Sequence, residues 1–316
     1  MSKVWLGVDT SNYTTSVSAV LEDETVYNVK IPLCVKPGEK GVRQSDALFM
    51  HVKNLPVAFN KLASEMGEKL KVGEISAIGV STRPRNVEGS YMPCFLSGIS
   101  VATSISELLK VDLFEFSHQE GHIRSASFGA NMNLPETFYS FHLSGGTCEL
   151  LECKKNDFGF TCEILSSSSD ITLGQLVDRT GVMLGLNFPC GTELEKLAQR
   201  STKTFKVKVT EGNGNVNLSG FENKVEKMIK ENTPSEHVAR YVYDVILNTI
   251  NKMLERRKDI TLPVIFAGGV SGSKILQNYV STVCDAYFAP PPLSCDNAVG
   301  VALLTRDKFL KVNSNE

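Results

Sequence analysis

Two stretches of this sequence share one plan, in which an apolar strand enters a tight turn and a second strand returns from it. The first stretch covers residues 3–21 and turns at 10–16, and the second covers residues 138–153 and turns at 144–147. Either hairpin alone is equally well explained as a polar β-turn between two strands. Their repetition along the chain predicts a duplicated α/β fold.

The segments between and after these hairpins alternate between helical and strand patterns. Apolar residues recur at helical spacing in residues 46–66, and small and apolar residues predict a second helix at 97–109. Further strands are expected at 26–31, 75–81, 111–114 and 263–267, and further helices at 236–256 and 274–283. Residues 202–222 are polar and predict a surface excursion.

This order of elements resembles the actin-like ATPase fold. The resemblance predicts an α/β chain with two duplicated βββαβα-type lobes and a nucleotide cleft between them. We place the N-terminal lobe at residues 1–117 and the C-terminal lobe at 118–316. Residues near 300–316 are expected to pack back on the N-terminal lobe.

The overall composition is that of an ordinary globular protein. The chain of 316 residues is 42% hydrophobic and 22% charged, with a formal net charge of −2, so no excess of positive charge indicates a nucleic-acid binder. No apolar stretch reaches membrane-spanning length, and no signal-peptide pattern is present. The eight cysteines contain no Cys-x-x-Cys pair, which favours reduced thiols and a cytoplasmic location.

Two of the five histidines lie four residues apart, at His118 and His122. They follow an apolar strand, and Ser117 is a suitable N-cap for a helix beginning at His118. On such a helix both imidazoles project from one face and can share a divalent metal ion. For the bare spacing alone, a partly exposed helix start with two unrelated histidines is the better explanation.

Three glycine-containing segments have the pattern of phosphate or nucleotide contacts. Glycines in the turn at 144–147 and in the strand-to-helix turn at 268–272 let the backbone approach a ligand closely. Between them, Asp170 is predicted to cap a helix on which Gly174 permits close backbone approach. Asp178 lies on the same face and can meet the ribose hydroxyls of a nucleotide. The alternative for each glycine is an ordinary turn.

Taken together, the ordered motifs resemble the universal tRNA threonylcarbamoyladenosine synthase family over nearly the whole chain. The motifs are His-x-Glu-Gly-His at 118–122, Ser-Gly-Gly at 144–146, Leu-Gly-Leu-x-x-Pro-x-Gly at 184–191, Gly-Gly-Val-Ser at 268–271 and Cys-Asp-Asn at 295–297. The resemblance implies transfer of a threonylcarbamoyl group from threonylcarbamoyl-adenylate to N6 of adenosine 37 in tRNA.

The family's site residues carry over position by position. The resemblance implies one divalent metal, iron or zinc, held by His118, His122 and Asp296. It implies that ATP or threonylcarbamoyl-AMP is bound by a larger set of residues: Ser144, Gly145, Gly146, Asp178, Gly191, Gly268, Gly269 and Ser273. No covalent protein nucleophile is required, and the catalytic residues stay open, with Asp9 and Ser11 as candidates for a contribution.

The chain also departs from the family pattern. Thr147 stands where the family has His, Gln175 where it has Glu, and Ser273 where it has Asn; the first turn also lacks an acidic residue. Each change removes a directed polar contact. The departures leave two alternatives open, which are carbamoyl transfer to another acceptor and a non-catalytic nucleotide-binding paralogue. An actin-like sugar kinase fits less well because it needs neither His118 nor His122.

The resemblance also implies partners. Bacterial members of the family work with a truncated paralogue, which dimerises through helices, and with a small ATPase. The helix at residues 97–109 and the long helix before it are the expected contact surface. The expected acceptor is tRNA, and no membrane association is expected.

Overall fold

The computed structural model describes residues 3–11, 13–34, 42–157, 159–295 and 297–314. These residues divide into two compact units. Unit 1 contains the chain up to residue 131, residues 155–161 and the chain from residue 295 onward. Unit 2 contains residues 132–154 and 162–294.

Unit 1 is built on a five-stranded sheet in the order β3-β2-β1-β4-β5. The strands are β1 (Val4–Asp9), β2 (Thr14–Leu21), β3 (Val26–Pro32), β4 (Ile75–Arg83) and β5 (Asp112–Ser117). The first three form an antiparallel meander, and β4 and β5 run parallel to β1. Its helices are α1 (Gln44–Met66), α2 (Phe95–Leu109), α3 (His118–Gly129) and the C-terminal α10 (Val299–Asn313).

The two faces of this sheet are covered by different helices because successive residues of a strand point to opposite sides. A Cβ on Gly7 would lie 2.5 Å from the Ala298 carbonyl oxygen at the start of α10, and Trp5, on the same face, meets Phe309 of α10 edge to face. Val8 points the other way, toward α2, where a Cβ on Gly98 would lie 3.4 Å from it. The central strand β1 is therefore buried on both faces.

Unit 2 repeats this topology. Its sheet has the order β12-β11-β6-β7-β8, with β6 antiparallel to β7 and parallel to β11. The strands are β6 (Thr137–Leu143), β7 (Cys148–Lys155), β8 (Phe160–Ser167), β11 (Val264–Ala267) and β12 (Ala286–Phe288), and a separate hairpin joins β9 (Thr210–Gly212) to β10 (Asn215–Asn217). The repeated order confirms the duplication that the two hairpins predicted.

The α-helices of the described part of unit 2 are α4 (Leu173–Met183), α5 (Gly191–Arg200), α6 (Ser219–Lys230), α7 (Ser235–Leu254), α8 (Lys274–Val280) and α9 (Pro291–Ser294). Buried residues of α4, α5 and α7 share one large apolar core with the sheet. None of the helices in the described ranges is long and apolar enough to cross a membrane.

The compact units differ from the boundary expected between residues 117 and 118, because α3 belongs to unit 1. Gly121 of α3 and Gly300 of α10 lie so close that a Cβ on Gly300 would clash with the Gly121 carbonyl. This close packing holds both helices against the first sheet.

Asp170 does not cap α4, contrary to the prediction. Thr172 caps α4 in a reciprocal capping box with Gln175. The Asp170 carboxylate instead accepts backbone N–H bonds from Ile171, Leu218 and Ser219 at 2.7–2.9 Å. Desolvation alone would raise its pKa, but these hydrogen bonds to the charged form lower it to about 2. Asp170 therefore ties the start of α4 to the start of α6.

Residues 202–222 are only in part the surface excursion that their polarity predicted. They include the β9–β10 hairpin and the first turn of α6, and Phe205, Val207 and Val209 pack against the core of unit 2. The short α9 was also not expected, because its sequence is rich in proline.

Candidate functional site

The histidine pair is placed by the junction between β5 and α3. Ser117 ends the strand and caps the helix, accepting the Glu120 N–H at 3.2 Å, while the Glu120 carboxylate accepts the Ser117 N–H at 2.8 Å. This capping box satisfies donors that the first helical turn leaves free. It confirms the predicted helix start and fixes the orientation of the turn that carries His118.

His118 and His122 lie on the same face of α3. Their ring centroids are 4.3 Å apart and the rings meet edge to face. His118 Nδ1 lies 2.6 Å from Asp9 Oδ2, and the Asp9 side chain is only 2% exposed. Because a carboxylate only accepts hydrogen bonds, Nδ1 of His118 carries the proton. The Nε2 lone pair of His118 is therefore the one available to a metal ion or substrate.

The end of β1 carries a second polar group besides Asp9. The other carboxylate oxygen, Asp9 Oδ1, accepts the Ser11 N–H at 2.8 Å, which closes a turn at the strand end. Ser11 is 4% exposed, and its hydroxyl has no hydrogen-bond partner among the residues that the structure describes. Such a group costs free energy when buried and is typical of a place where a ligand binds.

These residues fit the donor set of a divalent metal. Imidazole nitrogens suit zinc and iron, and a carboxylate on the second nitrogen of a ligating histidine orients it. The third expected ligand, Asp296, lies outside the described residues. Within the described residues, no group of three or more His, Cys, Asp or Glu side chains is arranged to hold a metal.

A third histidine, which the sequence pattern did not single out, lies near this turn. His51 of α1 is fully buried, and its Nδ1 is 2.8 Å from Thr15 Oγ1. Burial lowers the pKa of His51, and the nearby Asp9 carboxylate opposes this shift. No local sequence pattern marks it, because His51 is 42 residues from Asp9 along the chain.

In unit 2, the predicted glycine segments come together at the end of β6. A Cβ on Gly174 of α4 would lie 2.5 Å from the Ser144 carbonyl oxygen. Gly268 has φ +93° and packs against the Leu143 backbone so closely that a Cβ would clash there. Both positions therefore require glycine for packing, and three segments distant in sequence converge on one turn.

Gly145 and Gly146 differ from these packing glycines. Both are exposed, and a Cβ on either would meet nothing within 4 Å. The Ser144 hydroxyl accepts the N–H groups of Gly146 and Thr147 at 3.2 and 3.0 Å and so closes the turn. The open side of this turn leaves its backbone accessible to a ligand.

Asp178 and Gly191 are brought together by the contact between α4 and α5. Asp178 Oδ1 accepts the Cys190 N–H at 2.9 Å, just before α5 begins at Gly191. Partial burial raises the pKa of Asp178. Tyr243 of α7 donates its hydroxyl to the Gly191 carbonyl at 3.2 Å.

Ser273 has a partner that the sequence did not reveal. It caps α8 by accepting the Leu276 N–H, and it donates its hydroxyl to Glu195 Oε1 at 2.7 Å. The same Glu195 oxygen accepts the Ile275 N–H at 2.8 Å. The only local signal for Glu195 is its position one helical turn after Gly191 on α5.

Two of the positions that depart from the family pattern thus serve local structure. Gln175 belongs to the capping box of α4, and Ser273 is bonded to Glu195. Both side chains therefore have hydrogen-bond partners within unit 2.

Comparison with known proteins places this geometry in a family. A family model described as tRNA N6-adenosine threonylcarbamoyltransferase matches residues 26–303. The protein of that name from Thermosipho melanesiensis is 30% identical over 94% of this chain and 92% of its own length. This match confirms the expected family and the expected class of enzyme, a transferase.

Solved structures confirm the actin-like fold. HypF from T. kodakarensis has a TM-score of 0.61 at 13% identity, covering 99% of this chain and 48% of its own. The activator of 2-hydroxyisocaproyl-CoA dehydratase from Clostridium difficile, a structure with bound ADPNP, has a TM-score of 0.54 at 14% identity and covers 100% and 98%.

The residues that match the family model include the histidine helix, the glycine turns and the sheet of unit 2. This chain belongs to the tRNA N6-adenosine threonylcarbamoyltransferase family.

Proposed function

We propose that this chain transfers a threonylcarbamoyl group from threonylcarbamoyl-adenylate to N6 of adenosine 37 in tRNA, with one divalent metal ion, iron or zinc. The observation that carries the proposal is the His118–His122 pair on one face of α3, with the Asp9 carboxylate on His118 Nδ1. A helix start with unrelated histidines does not require a buried carboxylate to fix the tautomer of one of them.

His118, His122 and Asp296 would hold the metal. A bound divalent ion supplies Lewis-acid polarisation of the acyl group that is transferred. Asp9 holds the proton of His118 on Nδ1 and orients the ring, and the buried Ser11 hydroxyl beside it provides a hydrogen-bonding group for the substrate. Orientation of the two reactants is the main catalytic contribution that these side chains can make.

Residues of unit 2 bind the nucleotide part of the substrate in this proposal. The exposed turn at Gly145 and Gly146 lets phosphate oxygens approach its backbone closely. Asp178 and Glu195 present carboxylate oxygens that can accept from ribose hydroxyls. The remaining members of the set would shape the backbone that surrounds the ligand: Ser144, Gly191, Gly268, Gly269 and Ser273.

A second candidate function is a non-catalytic nucleotide-binding paralogue or a carbamoyl transferase with another acceptor. It is favoured by the engagement of Gln175 in the capping box of α4 and of Ser273 with Glu195. Because these two side chains bond to groups within unit 2, they are not available for hydrogen bonds to the usual substrate.

We also propose a helical partner in the cytoplasm, a truncated paralogue that binds α1 and α2, together with a small ATPase. A cavity of about 340 Å³ lies between these two helices of unit 1. It is lined by Val52, Leu55, Pro56, Phe59, Ser97, Ser100 and Val101. The neighbouring Phe49 and Leu96 are 63% and 45% exposed, which is typical of a surface that binds another protein.

The function is tested by measuring metal content, ATP binding and threonylcarbamoyl transfer to unmodified tRNA. The wild type and His118→Ala/His122→Ala are compared. We expect stoichiometric metal and transfer only in the wild type, and equal ATP binding in both because the proposed nucleotide residues are in unit 2.

The outcomes separate the two candidate functions. A wild type that takes up no metal even after reconstitution contradicts the catalytic proposal. If it still binds ATP, the non-catalytic paralogue is the remaining explanation. Metal binding without transfer to tRNA indicates another acceptor.

A further inference from the structure

Positive charge is concentrated in one exposed stretch of unit 2. Residues 196–210, the basic segment, contain five basic residues and no acidic one, in a chain whose net charge is −2. The five are Lys196, Arg200, Lys203, Lys206 and Lys208, and all of them are exposed.

These five charges differ from most of the other basic residues of unit 2, although among the described residues Lys224, Arg257 and Lys274 form no ion pair either. On α6, Lys227 pairs with Glu231 and Lys230 with Glu226. On and after α7, Lys252, Arg256 and Lys258 also have acidic partners. Among the residues that the structure describes, the five in the basic segment form no ion pair.

The extended part of the segment is anchored to α7. The Phe205 N–H donates to Asp244 Oδ2 at 2.7 Å, and the Phe205 ring meets Tyr241 edge to face at 5.6 Å. Upstream, Ser201 Oγ lies 2.9 Å from His237 Nδ1. These contacts hold the backbone in place before any ligand arrives, which reduces the entropy lost on binding.

Alternation in the segment separates apolar from charged side chains. Phe205, Val207 and Val209 pack against the core of unit 2, so Lys206 and Lys208 are directed to solvent. Residues two apart in an extended chain are separated by roughly 6.6 Å. Two exposed lysines without ion pairs, carried at this spacing on an anchored backbone, suit neighbouring phosphates of a nucleic-acid strand.

We propose that the basic segment binds the phosphate backbone of the RNA substrate, an assignment that rests on the proposed function. Lysines at such a surface neutralise phosphates and release counterions, and they supply affinity and positioning without reading bases. An acidic protein is the other ligand that such charges attract, but the linear spacing and the absence of an apolar centre favour RNA.

The test measures binding of the full-length chain to an unmodified tRNA transcript over a range of salt concentrations. Lys206→Gln/Lys208→Gln is compared with the wild type and with Lys227→Gln/Lys230→Gln, which removes the same charge from paired lysines. We expect the first variant to bind roughly tenfold more weakly at 0.1 M salt and its log–log salt slope to fall by about 1.5. The control is expected to match the wild type.

Threonylcarbamoyl transfer and binding of polyglutamate are measured on the same proteins. If the wild type modifies tRNA and both variants show the same salt slope, the basic segment is not an RNA contact although the proposed function stands. If the wild type neither binds nor modifies tRNA, the proposed function fails and the inference with it. Loss of polyglutamate binding alone would identify an acidic protein as the ligand.

Discussion

The Asp9–His118 hydrogen bond allows a specific prediction for Asp9→Asn. Asp9 Oδ1 accepts the Ser11 N–H at 2.8 Å, and Oδ2 accepts from His118 Nδ1 at 2.6 Å. The asparagine oxygen can keep the first bond, so its amide nitrogen then faces His118. Two donors would meet there, and the imidazole must move its proton from Nδ1 to Nε2. The nitrogen that the proposal assigns to the metal then has no lone pair to offer.

The size of the effect follows from this change of tautomer. Removing the outer partner of a metal-ligating histidine typically weakens metal binding by roughly 10- to 100-fold. This corresponds to about 1.4–2.7 kcal/mol. We expect the upper part of that range for Asp9→Asn, because the asparagine stabilises the wrong tautomer in addition to removing the charge.

The assay is a competition titration of Zn²⁺ between the protein and a chromophoric chelator. Asp112→Asn is the matched control, since Asp112 is exposed at the start of β5 and the change in charge is the same. Urea unfolding of the metal-free proteins checks that each variant is folded. Equal zinc affinity for Asp9→Asn and the wild type would refute the assigned role of Asp9, and an equal loss for Asp112→Asn would show only a general effect of charge.

Three further variants test the packing and the charges of the two units. Gly174→Ala places a Cβ 2.5 Å from a backbone carbonyl oxygen, so we expect urea unfolding to show a free energy of unfolding that is lower by about 1–3 kcal/mol. The control is Gly220→Ala, where the added Cβ meets open space and stability should not change. The pKa of Asp170 is lowered from 3.8 to about 2, so Asp170→Asn should lower the free energy of unfolding by about 1 kcal/mol above pH 4, after allowing for solvent screening. The difference from the wild type should shrink as the pH falls toward 2. A difference that stays constant with pH would contradict the role given to the Asp170 carboxylate. Gly300→Ala should separate α3 from α10 at Gly121, and an unchanged melting temperature would show that the helices can adjust.

The sequence predicted most elements because local patterns determine them. Period-two alternation and turn residues marked both hairpins, and helical spacing marked α1 and α7. Ser117 was recognisable as a cap because serine three residues before Glu120 forms a capping box. The same rule favours Thr172, three residues before Gln175, as the cap of α4, so the prediction of Asp170 overlooked a local signal. Local patterns could not show that Asp170 accepts hydrogen bonds from Leu218 and Ser219, 48 and 49 residues away.

Spacing along the chain also determined the histidine pair, because residues four apart on one helix must share a face. The sequence alone could not show that the Asp9 carboxylate accepts a hydrogen bond from Nδ1 of His118, 109 residues away. Nor could it show that Glu195 pairs with Ser273 or that the lysines of the basic segment have no acidic partners. Helix caps and hydrophobic periodicity depend on residues that are neighbours in the sequence, so they can be predicted from it. The protonation of an imidazole and the pairing of charges depend on which distant groups the sheets and helices bring into contact.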